Sequence, residues 1–141
     1  MWDRNYNLAF DLLELSVEQS QTATEIADSI RFEASFQAEQ LMPEVQETID
    51  TAFAELARAR DTSVVSRAQI DTLDADLGFS AQLLRDAEDS FESADYATAL
   101  EHAQQAIELA DSVRVRSEEI NQFAIEVELE LEQQSVFDQI P

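Results

Sequence analysis

From Ala23 to Ala59, apolar side chains return every three or four residues: Ala23, Ala27, Ile30, Ala34, Ala38, Leu41, Val45, Ile49, Ala52, Leu56 and Ala59. That interval is the turn of an α-helix, and its heptad-like form suits long helices packed at a shallow angle. Upstream, Tyr6, Phe10 (or Ala9), Leu13 and Val17 fall on a stripe of the same kind, which weakens over the polar stretch Gln19–Thr24. The one obstacle to an unbroken rod is Pro43. An internal proline removes a hydrogen bond and clashes with the preceding turn, at a cost of about 3 kcal/mol. The stripe nevertheless keeps phase across it, and nothing in Glu39–Met42 offers a new N-cap or a glycine C-cap. The spacing predicts one helix over about 4–60, capped by Asp3 or Asn5 and kinked near 39–43. A true break at Pro43 is the alternative.

The rest of the chain reads the same way. Asp61-Thr62-Ser63 forms the first corner, and any of the three can cap the second helix. Ile70, Leu73, Leu77, Ala81, Leu84, Ala87 and Phe91 mark that helix over about 64–93, with Gly78 inside it allowing a local bend recapped by Ser80. Ser93-Ala94-Asp95 interrupts the pattern. It resumes at Tyr96 and continues through Leu100, Ala103, Ile107, Ala110, Val113, Ile120, Ala124, Val127 and Leu131, giving a last helix over about 95–134. Ile125–Glu132 alternates as a strand would, but it has no partner strand and is built from good helix formers, so helix is expected there too. One Gly and two Pro in 141 residues leave almost no turn chemistry for a sheet. The expected fold is all-α: an elongated antiparallel bundle of three long helices, or four if Pro43 breaks the first. It forms a single domain over 1–134, followed by a frayed tail over 135–141 whose Val136, Phe137 and Ile140 can tuck onto a bundle end.

Charge restricts the function classes. The chain carries 31 acidic against 8 basic residues, for a formal net charge of −23, and every basic residue is Arg. At ordinary ionic strength such a surface repels itself; in molar salt the screening length falls to about 3 Å and the repulsion is largely removed. An acid-rich, lysine-free composition resembles that of proteins from extreme halophiles. It also lacks the clustered cations needed to neutralise phosphates or anionic lipid, so neither nucleic acid nor a membrane surface is expected as a partner. No apolar run approaches the roughly 20 residues of a membrane span, so no direct membrane insertion is expected. Met1–Ser16 lacks the basic start and plain apolar core of a signal peptide. A cytoplasmic location is expected, or an extracytoplasmic one if the chain is a trimmed piece of a longer protein.

The stretch from Leu83 to Asp111 resembles a single tetratricopeptide repeat. Ala87 stands where the two helices of that motif touch, Ala94-Asp95-Tyr96 is similar to its corner, and Ala99 and Ala106 match its small positions on the second helix. The chain departs from the motif at Asp86, Ala103 and Asp111, where an apolar residue, a large residue and a closing proline are usual. No second copy occurs at a spacing near 34. The resemblance implies a helical hairpin of that geometry, not a peptide-binding array.

Candidate chemistry is sparse. Without Cys there is no disulfide or thiolate site. The single histidine, His102, lies between Glu101 and Ala103 and reads as a helix-flank packing residue, and the two Glu-x-x-His motifs of a di-iron bundle are missing. Asp71, Asp74 and Asp76 precede Gly78 but do not have the ligand spacing of a calcium loop. The glutamates 126, 128, 130 and 132 draw cations only diffusely. No phosphate loop, nucleophile elbow or zinc motif occurs. The sequence therefore points to no enzyme, no cofactor and no metal. What stands out is aromatic: Phe32 and Phe36 lie one turn apart beside the Ile30/Ala34 stripe, and Trp2 and Tyr6 raise the same question at the N-terminus. These four either widen a core face or dock a protein partner or a second copy. The expectation is a non-enzymatic structural or protein-interaction module of a halophile, with self-association to a homo-oligomer or partner docking through apolar helix faces. Two alternatives belong to other classes: the extracytoplasmic ligand-sensing bundle of a receptor, with Arg31, Arg58, Arg67 or Arg114 facing a pocket between helices, and a subunit of a virion or surface assembly.

Overall fold

The structure, a computed structural model, describes the backbone over residues 2–139 and the side chains over residues 5–139. It contains three α-helices, α1 (Trp2–Arg60), α2 (Arg67–Glu92) and α3 (Tyr96–Asp138), and no strand among the described residues. The alternating Ile125–Glu132 segment is helical. Helix α1 is continuous through Pro43 for 59 residues, about 88 Å at 1.5 Å per residue. The apolar stripe that holds phase across the proline accounts for this: Ala38, Val45, Ile49, Ala52, Leu56 and Ala59 are all buried on one face, so packing on both sides of Pro43 outweighs the hydrogen bond it removes. Because α1 begins at Trp2, Asn5 lies inside its first turns and does not cap it.

The corners are built by caps. Helix α2 starts later than caps at Asp61, Thr62 or Ser63 would place it. Ser66 is the N-cap, its hydroxyl accepting from the Gln69 N–H while the Gln69 side chain accepts from the Ser66 N–H. This reciprocal pair satisfies two amides that a helix start otherwise leaves open. Gly78 sits within an unbroken helix, and Ser80 does not recap there: it is buried and donates to the Ala106 carbonyl of α3 at 2.7 Å. Helix α2 ends with Ala94 in the left-handed region, at φ 60. The Asp95 N–H reaches back to the Ser90 carbonyl (2.9 Å) and the Ala94 N–H to the Phe91 carbonyl (3.0 Å). This is a Schellman closure with alanine where glycine is usual. Asp95 then caps α3 through the Thr98 N–H.

Two contacts fix the arrangement. At one end, Arg31 on α1 lies over the Tyr96 ring at 5.6 Å and donates to the Ala94 carbonyl at 3.4 Å. At the other end, Asn121 on α3 donates to the Glu55 carbonyl and side chain at 3.0 and 2.8 Å. Helices α1 and α3 therefore run parallel, with α2 antiparallel to both. The core between them is small-sided: Ala52, Ala59, Ala87, Ala99, Ala103, Ala106 and Ala110 are inaccessible to solvent and let the rods approach closely around Leu56, Leu73, Leu77, Leu84 and Val113.

This core covers only part of the chain. Every described residue from Asn5 to Glu33 is exposed, and burial on α1 starts at Ala34 and Ala38. The stripe of Tyr6, Phe10, Leu13, Val17 and Ile30 was expected to pack inside the bundle. It does not, because α2 and α3 turn at Ser93–Asp95, level with Arg31, and no other described residue of this chain reaches further. The first half of α1 is an overhang of about 40 Å. Helix α3 overhangs the opposite end, where it continues to Asp138, past the expected end near 134, with no buried residue after Asn121.

Candidate interaction surface

The overhang of α1 is a helix with too much grease for a solvated rod. Tyr6 is 79% exposed, Phe10 62%, Leu13 67% and Ile30 63%, and Leu8, Leu12, Leu15, Val17 and Ile26 are exposed as well. Over its first turns Asn7, Asp11, Glu14 and Glu18 step along one narrow face and leave most of the circumference apolar; from Gln19 to Thr24 the helix is largely polar, and Ile26, Ile30 and Phe32 follow. Scattered exposed apolar residues are ordinary on a protein surface; apolar residues grouped as they are over Tyr6–Val17 make this segment the candidate surface. In the middle of the overhang two hydroxyls are closed on the helix itself. The Thr22 hydroxyl donates to the Glu18 carbonyl at 3.0 Å, and the Thr24 hydroxyl to the Ser20 carbonyl at 2.9 Å. An apolar surface approaching there strands neither of these donors.

Of the residues singled out from the sequence, Tyr6, Phe32 and Phe36 lie on this helix and all three are exposed, Phe32 at 74% and Phe36 at 52%. The side chain of Trp2 lies outside the described residues. The pair Phe32/Phe36 sits where the overhang meets the bundle, beside Arg31 and the α2–α3 corner. There Phe91 and Tyr96 stack edge to face with centroids 5.1 Å apart. Leu8, Leu12 and Leu15 were not anticipated, because the expected core face was a single stripe that runs past them. Their own four- and three-residue spacing was the available signal.

The opposite tip carries a second apolar area, with Phe123, Ile125, Leu129, Leu131, Val136 and Phe137 exposed on α3. At its base an open groove of about 640 Å³ runs between the start of α2 and α3, walled by Val65, Ala68, Leu73, Ile120 and Phe123 and edged by Arg116 and Glu119.

Of the arginines considered for a ligand pocket, Arg67 edges an open groove beside Arg60, Thr62, Ile70, Asp71 and Asp74. Arg31, Arg58 and Arg67 are exposed. Arg114 is half-buried and bound along its own helix to Asp111 and Glu118, both at 2.7 Å; hydrogen bonds to these carboxylates raise its pKa above the ordinary value. Such pairs steady a helix surface and contribute little to stability. His102 is half-buried on α3, with Nδ1 unpaired among the described residues. No group of three or more Asp, Glu or His among the described residues is placed to hold a metal ion. No described helix is long and apolar enough to cross a membrane. No family model, curated protein or solved structure matches this chain.

Proposed function

We propose that this chain is a non-enzymatic interaction module of a halophile, in which a short three-helix bundle holds out long apolar helix ends for self-association. The observation that carries the reading is the first half of α1, where Tyr6, Phe10, Leu13, Val17, Ile26, Ile30 and Phe32 are exposed on one continuous helix. Most helical stability in proteins comes from packing an apolar face rather than from intrinsic propensity, and the bundle packs no face of this segment. The segment therefore needs a neighbour that the bundle does not supply. The surface charge sets the conditions: with a net charge of −23, two copies meet only where salt screens their approach. Light scattering in molar salt over a range of concentrations tests the reading. The mass is expected to rise with concentration above the 15.9 kDa of one chain; a fixed monomer at every concentration removes self-association.

A further inference from the structure

We infer that the neighbour is the same segment of a second copy, running antiparallel, with the two-fold axis passing at Ser20. This inference rests on the self-association reading and gives it a partner, a direction and a register.

The argument starts from the order of residue sizes along the overhang. Its first half presents Tyr6, Phe10, Leu13 and Val17, and its second half presents Ala23, Ala27, Ile30 and Ala34. When one copy is turned end for end about Ser20, Val17 comes level with Ala23 of its mate, Leu13 with Ala27, Phe10 with Ile30 and Tyr6 with Ala34. Every layer holds a residue of the stripe on both sides, and three of the four set a large side chain against an alanine, which is how close-packed helices interdigitate. A parallel pair instead sets Tyr6 on Tyr6 and Ala27 on Ala27, leaving crowded layers beside empty ones. The pairing ends at Ala34, which is already half-buried by its own bundle, so the pairing strip fills the overhang and no more.

Charge adds a smaller preference for the same direction. In parallel alignment Asp11, Glu14, Glu18, Glu25 and Asp28 each come level with their own counterpart. Turned about Ser20, they come level with Ser29, Ile26, Thr22, Leu15 and Leu12 respectively, so none is level with another, and the nearest pairs, Glu14 with the mate's Glu25 and Asp11 with the mate's Asp28, are offset by one residue along the axis. In a chain with eight cations, avoiding like charges is the main electrostatic choice open to it. At the centre, Ser20 and the self-bonded Thr22 and Thr24 keep the contact narrow. The available surface is adequate: each exposed aromatic ring brings on the order of 150 Å², and the strip of about 40 Å adds the aliphatic layers, which together approach the roughly 800 Å² per partner of a stable interface. A two-fold pairing also closes on itself, with no unlimited growth along this face.

Because the chain has no native cysteine, single cysteines report the register directly. Val17→Cys and Ala23→Cys proteins are prepared separately, then mixed in molar salt and oxidised. The antiparallel pair brings position 17 of one copy beside position 23 of the other, whereas 17 and 17 are offset by about 9 Å along the axis, beyond the reach of a disulfide. The expected result is a crosslinked dimer several-fold more abundant in the mixture than in either protein alone, and a wild-type mass at or above twice 15.9 kDa that Phe10→Asp returns to the monomer. Phe10 is outside the bundle core, so that variant still folds. A raised wild-type mass with 17–17 crosslinks overturns the antiparallel register and leaves self-association standing. A raised mass unaffected by Phe10→Asp places the contact elsewhere and overturns this interface. A monomer throughout overturns both readings.

Discussion

At the residue scale the protein separates side chains that hold the bundle from side chains that only resemble them in sequence. Leu56 and Ile30 occupy equivalent steps of one stripe, yet Leu56 is 1% exposed and Ile30 63%. Leu56→Ala is expected to destabilise the bundle by about 2–5 kcal/mol through lost contacts and the cavity left behind. Ile30→Ala, at a dilution where the chain is monomeric, is expected to change it by less than about 0.5 kcal/mol; denaturant titration in molar salt compares the two. Ala94 offers the opposite sign. It closes α2 at φ 60, where an L-residue is strained by roughly 1–2 kcal/mol that glycine escapes, while glycine gives back part of this as chain entropy. Ala94→Gly is expected to raise stability by about 0.5–1 kcal/mol, read as an upward shift in melting temperature.

At the element scale the helices were legible and their neighbours were not. The three- and four-residue steps located α1 across Pro43, and the interruption at Ser93-Ala94-Asp95 located the α2–α3 corner. The N-cap of α2 was misplaced because Asp61, Thr62 and Ser63 carry the same polar signal as Ser66, and only the reciprocal Gln69 contact distinguishes them. Ser80 was read as local turn chemistry because its partner, Ala106, is distant in sequence. The overhang was read as core for a related reason: periodicity shows that a face wants burial, and the lengths of the other helices decide whether this chain can provide it. Helix α2 has 26 residues against 59 in α1, so half of α1 had to be left uncovered. Hydrogen exchange makes this visible. In dilute monomer the amides of residues 5–30 are expected to exchange orders of magnitude faster than those of 45–59, since an uncovered helix opens on its own. Raising the concentration in molar salt slows exchange over 5–30 alone, whereas uniform protection along α1 at every concentration contradicts the overhang.

At the scale of the whole molecule the governing quantity is charge. A net −23 acts on every part of a thin rod, and the core opposing it is built largely from alanines, each of which buries little area. Moving from about 1 M to 0.1 M salt lengthens the screening distance from about 3 Å to 10 Å, bringing carboxylates on neighbouring turns and helices within range of each other. Helical circular dichroism and melting temperature are both expected to fall on dialysis into dilute buffer and to recover when salt is restored. Stability that is independent of salt counts against the halophilic reading.

The parallel course of α1 and α3 has a mechanical corollary. Since α1 overshoots the bundle at one end and α3 at the other, joining two chains through α1 does not consume the α3 tips; it carries them apart. Two copies tied about Ser20 would form a stiff strut on the order of 150 Å from tip to tip, with identical Phe123- and Phe137-bearing ends facing outward in opposite directions. An object of that form sets a distance between whatever its two ends hold.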